Sequence, residues 1–244
     1  MTAPGCLDPA GCPVPDPKRL DLRRLRLTHL SEGQTLHTAY TRDYWPDLFN
    51  VSGGGNGRFS PTLSGGRPVP TMYAARAQTV ALLETSFHDV HQAGTRIVSE
   101  RTQLATRGLA AITVPERLAL VDLSDDGLAR VGLTRAQLVA TTPQHYACSQ
   151  AWSLALHERS FGGYQAAGLL WRSRVAELAE ADSELFADLL RLVGDVCVLF
   201  GDRATTVPGD WQPGDPHYED LSVGEGRLLA EQIAEQLGAV IVPP

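Results

Sequence analysis

Loops rich in glycine and proline cut this chain into short apolar segments, and that punctuation limits its fold more than any other feature. One loop runs from Phe49 through Gly53-Gly54-Gly55-Asn56-Gly57-Arg58 to Pro61, and another polar one spans 201–222. Between such loops, strand-like composition appears at 35–40, 69–75, 118–123, 167–171 and 195–200. Apolar residues at helical spacing predict helices over 75–92, 144–159, 184–193 and 223–237. Short helical turns are expected over 125–139, broken at Gly132. These segments do not alternate strictly as strand, helix, strand, so the expected class is α+β, with mixed small sheets and flanking helices in one domain.

Length and composition narrow the function. At 244 residues, 43% hydrophobic and 20% charged, the chain suits an ordinary soluble domain with a substantial core. A net charge of −7 argues against direct nucleic-acid binding, which needs a concentrated basic face. No apolar stretch is long enough to cross a bilayer, and the first residues lack the basic and apolar regions of a secretory signal. The four cysteines (Cys6, Cys12, Cys148 and Cys197) are too scattered for a disulfide framework. Cys6 and Cys12 stand in a Pro/Gly-rich tail without the second ligand pair of a structural zinc site, and no metal is expected. A reducing cytoplasm fits these features.

The expected organisation has three parts. Residues 1–30 form a leader, disordered over 1–17 with a short amphipathic helix over 18–30. Residues 31–203 form the main domain, and residues 204–244 supply a loop and a C-terminal helix packing on that same domain.

Three residues stand out as chemistry. Glu84 falls within an apolar helical stripe, between Val80 and Phe87, where a carboxylate must find a partner or line a cavity. A glutamate at the stripe's edge, reaching solvent or an arginine, would read the same way. Arg58 follows GGGNG, whose backbone amides and guanidinium suit a diphosphate. A hairpin loop with a salt-bridging arginine is the plainer alternative. Tyr73 lies mid-strand, where half-buried packing is the ordinary role of a tyrosine.

Taken together, the run GRFSPTLSGGRPVPTMYAARAQTVALLETSFHDVH resembles the RES domain. So does HYACSQAWSLALHERSFGGYQAAGLLWRSR, an aromatic-led helix followed by a strand ending in serine, and so does DVCVLFGDR as a closing strand. The resemblance spans about 33–203. It implies a fold like that of ADP-ribosyltransferases and a site acting on NAD⁺ as substrate, with no metal. Many RES members are toxins of bacterial toxin–antitoxin pairs that break the nicotinamide–ribose bond by hydrolysis or phosphorolysis. Others transfer ADP-ribose to a protein, and a non-catalytic binding member is a further alternative.

Carried onto this sequence, the resemblance makes Glu84 the catalytic carboxylate, Arg58 and Tyr73 the dinucleotide-holding groups, and Ser173 the family serine. Tyr146 and Gln150 match the aromatic-led helix and join the pocket. A family arginine in the first strand has no counterpart in Leu36-His37-Thr38-Ala39-Tyr40, which leaves Arg42 to reach the phosphate from four residues on. The implied partner is a helix-turn-helix antitoxin of the Xre type.

Overall fold

The computed structural model describes residues 3–88, 90, 96–175, 194–207 and 209–243. The strands are β1 (Leu27–Leu30), β2 (Thr35–Thr41), β3 (Thr62–Ser64), β4 (Arg67–Val69), β5 (Thr71–Ala75), β6 (Ile97–Ser99) and β7 (Arg107–Thr113). They continue as β8 (Leu118–Asp122), β9 (Ser160–Phe161), β10 (Tyr164–Gln165), β11 (Gly168–Arg172), β12 (Asp195–Phe200), β13 (Pro213–Tyr218) and β14 (Val240–Val242). The helices are α1 (Gln78–Leu83), α2 (Asp125–Ala129), α3 (Arg135–Leu138), α4 (Tyr146–His157) and α5 (Gly224–Gln236).

Eight strands form the main sheet in the order β1-β8-β11-β12-β5-β2-β7-β13, and three two-stranded ribbons accompany it. Within the main sheet β8 and β11 run parallel and the other neighbours antiparallel; the β14–β6 ribbon is also parallel. Because successive side chains on a strand point to opposite faces, each central strand feeds two cores. Leu169 and Trp171, Val196 and Val198, and Ala75 join the core beneath the helices, with Val80, Leu82, Trp152, Leu156 and Ile233. Leu170, Cys197, Leu199, Met72 and Ala74 join the opposite core, closed by Phe49 and the fully buried Trp211. The chemistry described below sits on the helical face.

The class is α+β, as expected, and the strands at 118–122, 168–172 and 195–200 fall where the composition places them. Several elements differ. Over 18–30 there is no amphipathic helix; two 3₁₀ turns, Pro17–Arg19 and Leu22–Arg24, lead into β1, which pairs with β8. Asp16 and Asp21 each cap one of these turns by accepting a backbone N–H, and that local bonding competes with a continuous helix. Residues 3–17, expected to be disordered, lie along α4: Val14 is buried, and the Trp152 indole donates to the Pro15 carbonyl at 2.7 Å.

The helix expected over 75–92 is only α1, six residues long. Thr85 turns its hydroxyl back onto the Ala81 carbonyl at 2.7 Å, and Ser86 exchanges bonds with Gln103, so the chain leaves the helical path after Glu84. The polar stretch expected as loop over 201–222 contains β13, which pairs with β7 through a register shift between Gly214 and His217. The helix expected over 184–193 lies outside the described residues.

Candidate functional site

β5, β12 and β11 lie side by side, so Tyr73 and Trp171 project from the same face, with ring centroids 6.1 Å apart at near right angles. Ser173 follows β11 with the same parity and is completely buried; its N–H donates to the Gly194 carbonyl at 2.9 Å. Glu84 closes α1 as its C-terminal cap, half-buried, and meets Ser173 there. The serine hydroxyl donates to Glu84 Oε1 at 2.5 Å, the length of a charge-assisted bond. Early termination of α1 puts this carboxylate at a helix end rather than on a mid-helix face.

Arg58 approaches from the glycine-rich loop. Its Nη1 donates to the Thr141 carbonyl at 2.8 Å and to the Thr141 hydroxyl at 2.7 Å, and its guanidinium lies 5.0 Å from the centre of the Tyr146 ring. Burial pushes the Arg58 guanidinium below its ordinary range, Tyr146 and then Glu84 and Tyr73 oppose that shift, and the cation of Arg174 adds to it. Arg58, Glu84, Tyr73, Tyr146 and Arg174 therefore share one electrostatic neighbourhood. Arg174 is the residue that sequence reasoning missed. Its Nε is buried and makes no hydrogen bond among the described residues, and its one sequence signal was adjacency to Ser173.

Tyr73 is half-buried as a residue, but its hydroxyl is enclosed and accepts the Phe59 N–H at 3.1 Å. Burial pushes the phenol up to about 12, against bonds from Ser60 and Phe59 that act downward, so it is uncharged at neutral pH. A methyl group at Gly57 would stand 2.9 Å from that hydroxyl and from the Ser60 Oγ, so a side chain there must push one of them aside. Gln150 holds the same loop from α4, its Nε2 lying 2.9 Å from the Gly57 carbonyl, 3.0 Å from the Ser60 carbonyl and 3.2 Å from Asn56 Oδ1. Gln150 thus buttresses the loop that carries Arg58.

Arg42 is not brought to this group. Its Nη1 lies 2.6 Å from Asp220 Oδ2 and 2.9 Å from the Ala105 carbonyl, an ion pair at the far end of β2. Thr38, where the arginine is missing, shares the face of Leu36 toward the opposite core, and its hydroxyl donates to the Tyr73 carbonyl at 3.1 Å. A longer side chain at that position would enter the second core, and Arg42, held by Asp220, does not reach the group around Arg58. Among the described residues, the one trio of closely spaced metal-type ligands, Cys6, Cys12 and His145, includes none of these site residues.

The family model described as the RES domain matches residues 22–189, more than half of the chain. No curated protein matches the sequence. Among solved structures, a chain of the crystal structure of the M. tuberculosis MbcT–MbcA toxin–antitoxin complex is similar, with a TM-score of 0.54 and 18% identity, over 86% of this chain and 93% of that one. At that identity the likeness is one of fold.

Proposed function

This chain belongs to the RES-domain family, and from that premise we propose that it consumes NAD⁺ by breaking the nicotinamide–ribose bond, as the toxin of a toxin–antitoxin pair. The observation that carries this reading is the 2.5 Å bond from Ser173 to Glu84, set beside two guanidinium groups. As nicotinamide departs with the bonding electron pair, positive charge develops on the ribose, and an ionised carboxylate next to it lowers the barrier. Ser173 fixes the orientation of that carboxylate through one oxygen. Arg58 and Arg174 suit the diphosphate, with Arg174 supplying the cation that Arg42 does not. The uncharged Tyr73 phenol orients the ribose or packs on the nicotinamide. Water or phosphate then completes the ribose carbon from the open side.

The fold likeness to a toxin–antitoxin complex supports a protein antitoxin as partner, and the family resemblance makes it an Xre-type helix-turn-helix protein. The NAD⁺ pool places the activity in the cytoplasm. Incubating the purified chain with NAD⁺, with and without phosphate, tests the reaction by chromatography of the products. Nicotinamide with ADP-ribose marks hydrolysis, nicotinamide with a phosphorylated ADP-ribose marks phosphorolysis, and a mass increase on an added protein marks transfer. Intact NAD⁺ in every arm would end the enzyme reading.

A further inference from the structure

We infer that Cys6, Cys12, His145 and Cys148 form a tetrahedral Zn²⁺ site that fastens the N-terminal arm to the start of α4. Cys6 and Cys12 stand six residues apart in the Pro/Gly-rich arm, and the fold brings them to a second pair. His145 ends the 3₁₀ turn Pro143–His145 and Cys148 lies in the first turn of α4, three residues on, so both present ligands from one side. One ligand atom each from Cys6, Cys12 and His145 lie within 4.8 Å of one another. Cys6 Sγ is 3.7 Å from His145 Nδ1, and Cys148, outside that trio, lies with its Sγ 3.6 Å from Cys12 Sγ.

A tetrahedral zinc bound at about 2.3 Å from each sulfur holds two such sulfurs about 3.8 Å apart, close to the 3.6 Å between the Cys12 and Cys148 sulfurs. Soft thiolates and an imidazole select zinc over hard cations, and four protein ligands close the site, which marks it as structural rather than catalytic. Three thiols release their protons as one ion enters, and His145 binds through neutral Nδ1. The arm is already aimed there: the Leu7 N–H donates to the Gln144 carbonyl at 3.1 Å, next to His145. Cys197 lies in β12 on the other core and takes no part. The ion would also steady Tyr146 and Gln150, the α4 residues that hold Arg58 and its loop, although the site stands whether or not the chain consumes NAD⁺.

The full chain, expressed with zinc and purified under reducing conditions without metal-affinity resin, should carry one zinc per molecule by elemental analysis. Cys6→Ser, at a half-buried position that tolerates a hydroxyl, should lower that content several-fold, and Cys197→Ala should leave it at one. Co²⁺ added to the stripped chain should give the intense visible spectrum of a tetrahedral thiolate site, bleached by Zn²⁺. Wild-type protein that holds no zinc and gives no such spectrum would overturn the assignment. A Cys12–Cys148 disulfide found by peptide mapping would overturn it too.

Discussion

Glu84 and Ser173 are 89 positions apart in sequence, and their side chains meet at 2.5 Å. Glu84→Gln keeps the shape and the Ser173 contact but removes the charge. NAD⁺ loss should therefore slow by about two to three orders of magnitude, with the melting temperature little changed. A wild-type rate in that variant discards the carboxylate's role. A second residue-scale outcome concerns His37, whose Nδ1 is buried without a hydrogen bond among the described residues. Burial pushes its imidazole below the ordinary 6.5, against a backbone bond from Arg76. The unfolded chain then takes up a proton near 6.5 that the folded chain refuses until lower pH. The contribution to stability is full above 6.5 and is lost as pH falls from there through the folded value. His37→Gln should show a smaller drop in urea midpoint than wild type between about pH 7.5 and about pH 5.5. Glu84 was legible because a carboxylate inside an apolar stripe demands an explanation. Arg174 was not, since an arginine gains meaning only from what surrounds it in space. The same holds for Cys6, whose partner His145 is 139 residues away.

Local chemistry decided where elements ended, and there the sequence was least readable. The apolar period through Phe87 favours a long helix, yet the Thr85 and Ser86 hydroxyls find other bonds, and α1 stops at Leu83. β7, the stretch RGLAAIT, escaped notice because its alanines and glycine carry little strand signal. It forms a strand because β2 and β13 flank it on both sides. By contrast, Gly132, at φ +74, breaks the turns over 125–139 where glycine is the natural residue. Gly57 permits an element-scale test. In Gly57→Ala the new methyl must displace the Tyr73 hydroxyl or the Ser60 side chain, both 2.9 Å away. The loop carrying Arg58 should shift, raising KM for NAD⁺ at least several-fold while circular dichroism stays unchanged. An unaltered KM would separate that loop from the substrate.

At the scale of the molecule, one sheet separates two cores, and segments far apart in sequence complete the helical one: Val14 from the arm, Ile233 from α5 and Leu237, which caps it. The α+β class was readable from short strands and helices that do not alternate strictly; the sheet order was not, because it depends on pairings across more than a hundred residues. Removing residues 1–16 would orphan the buried Trp152 indole N–H, at about 1–3 kcal/mol, and delete the buried Val14, at about 1.5–3 kcal/mol. The truncated chain should melt several degrees lower in calorimetry, and an unchanged melting temperature would show that the arm adds nothing to stability. β13 borders the sheet with Pro213 and Pro216 and shifts register between Gly214 and His217. Proline has no N–H to offer a newcomer, and the offset spoils the ladder that a further strand would copy. That margin resists the stacking of copies edge to edge, the route by which crowded strands grow into fibres.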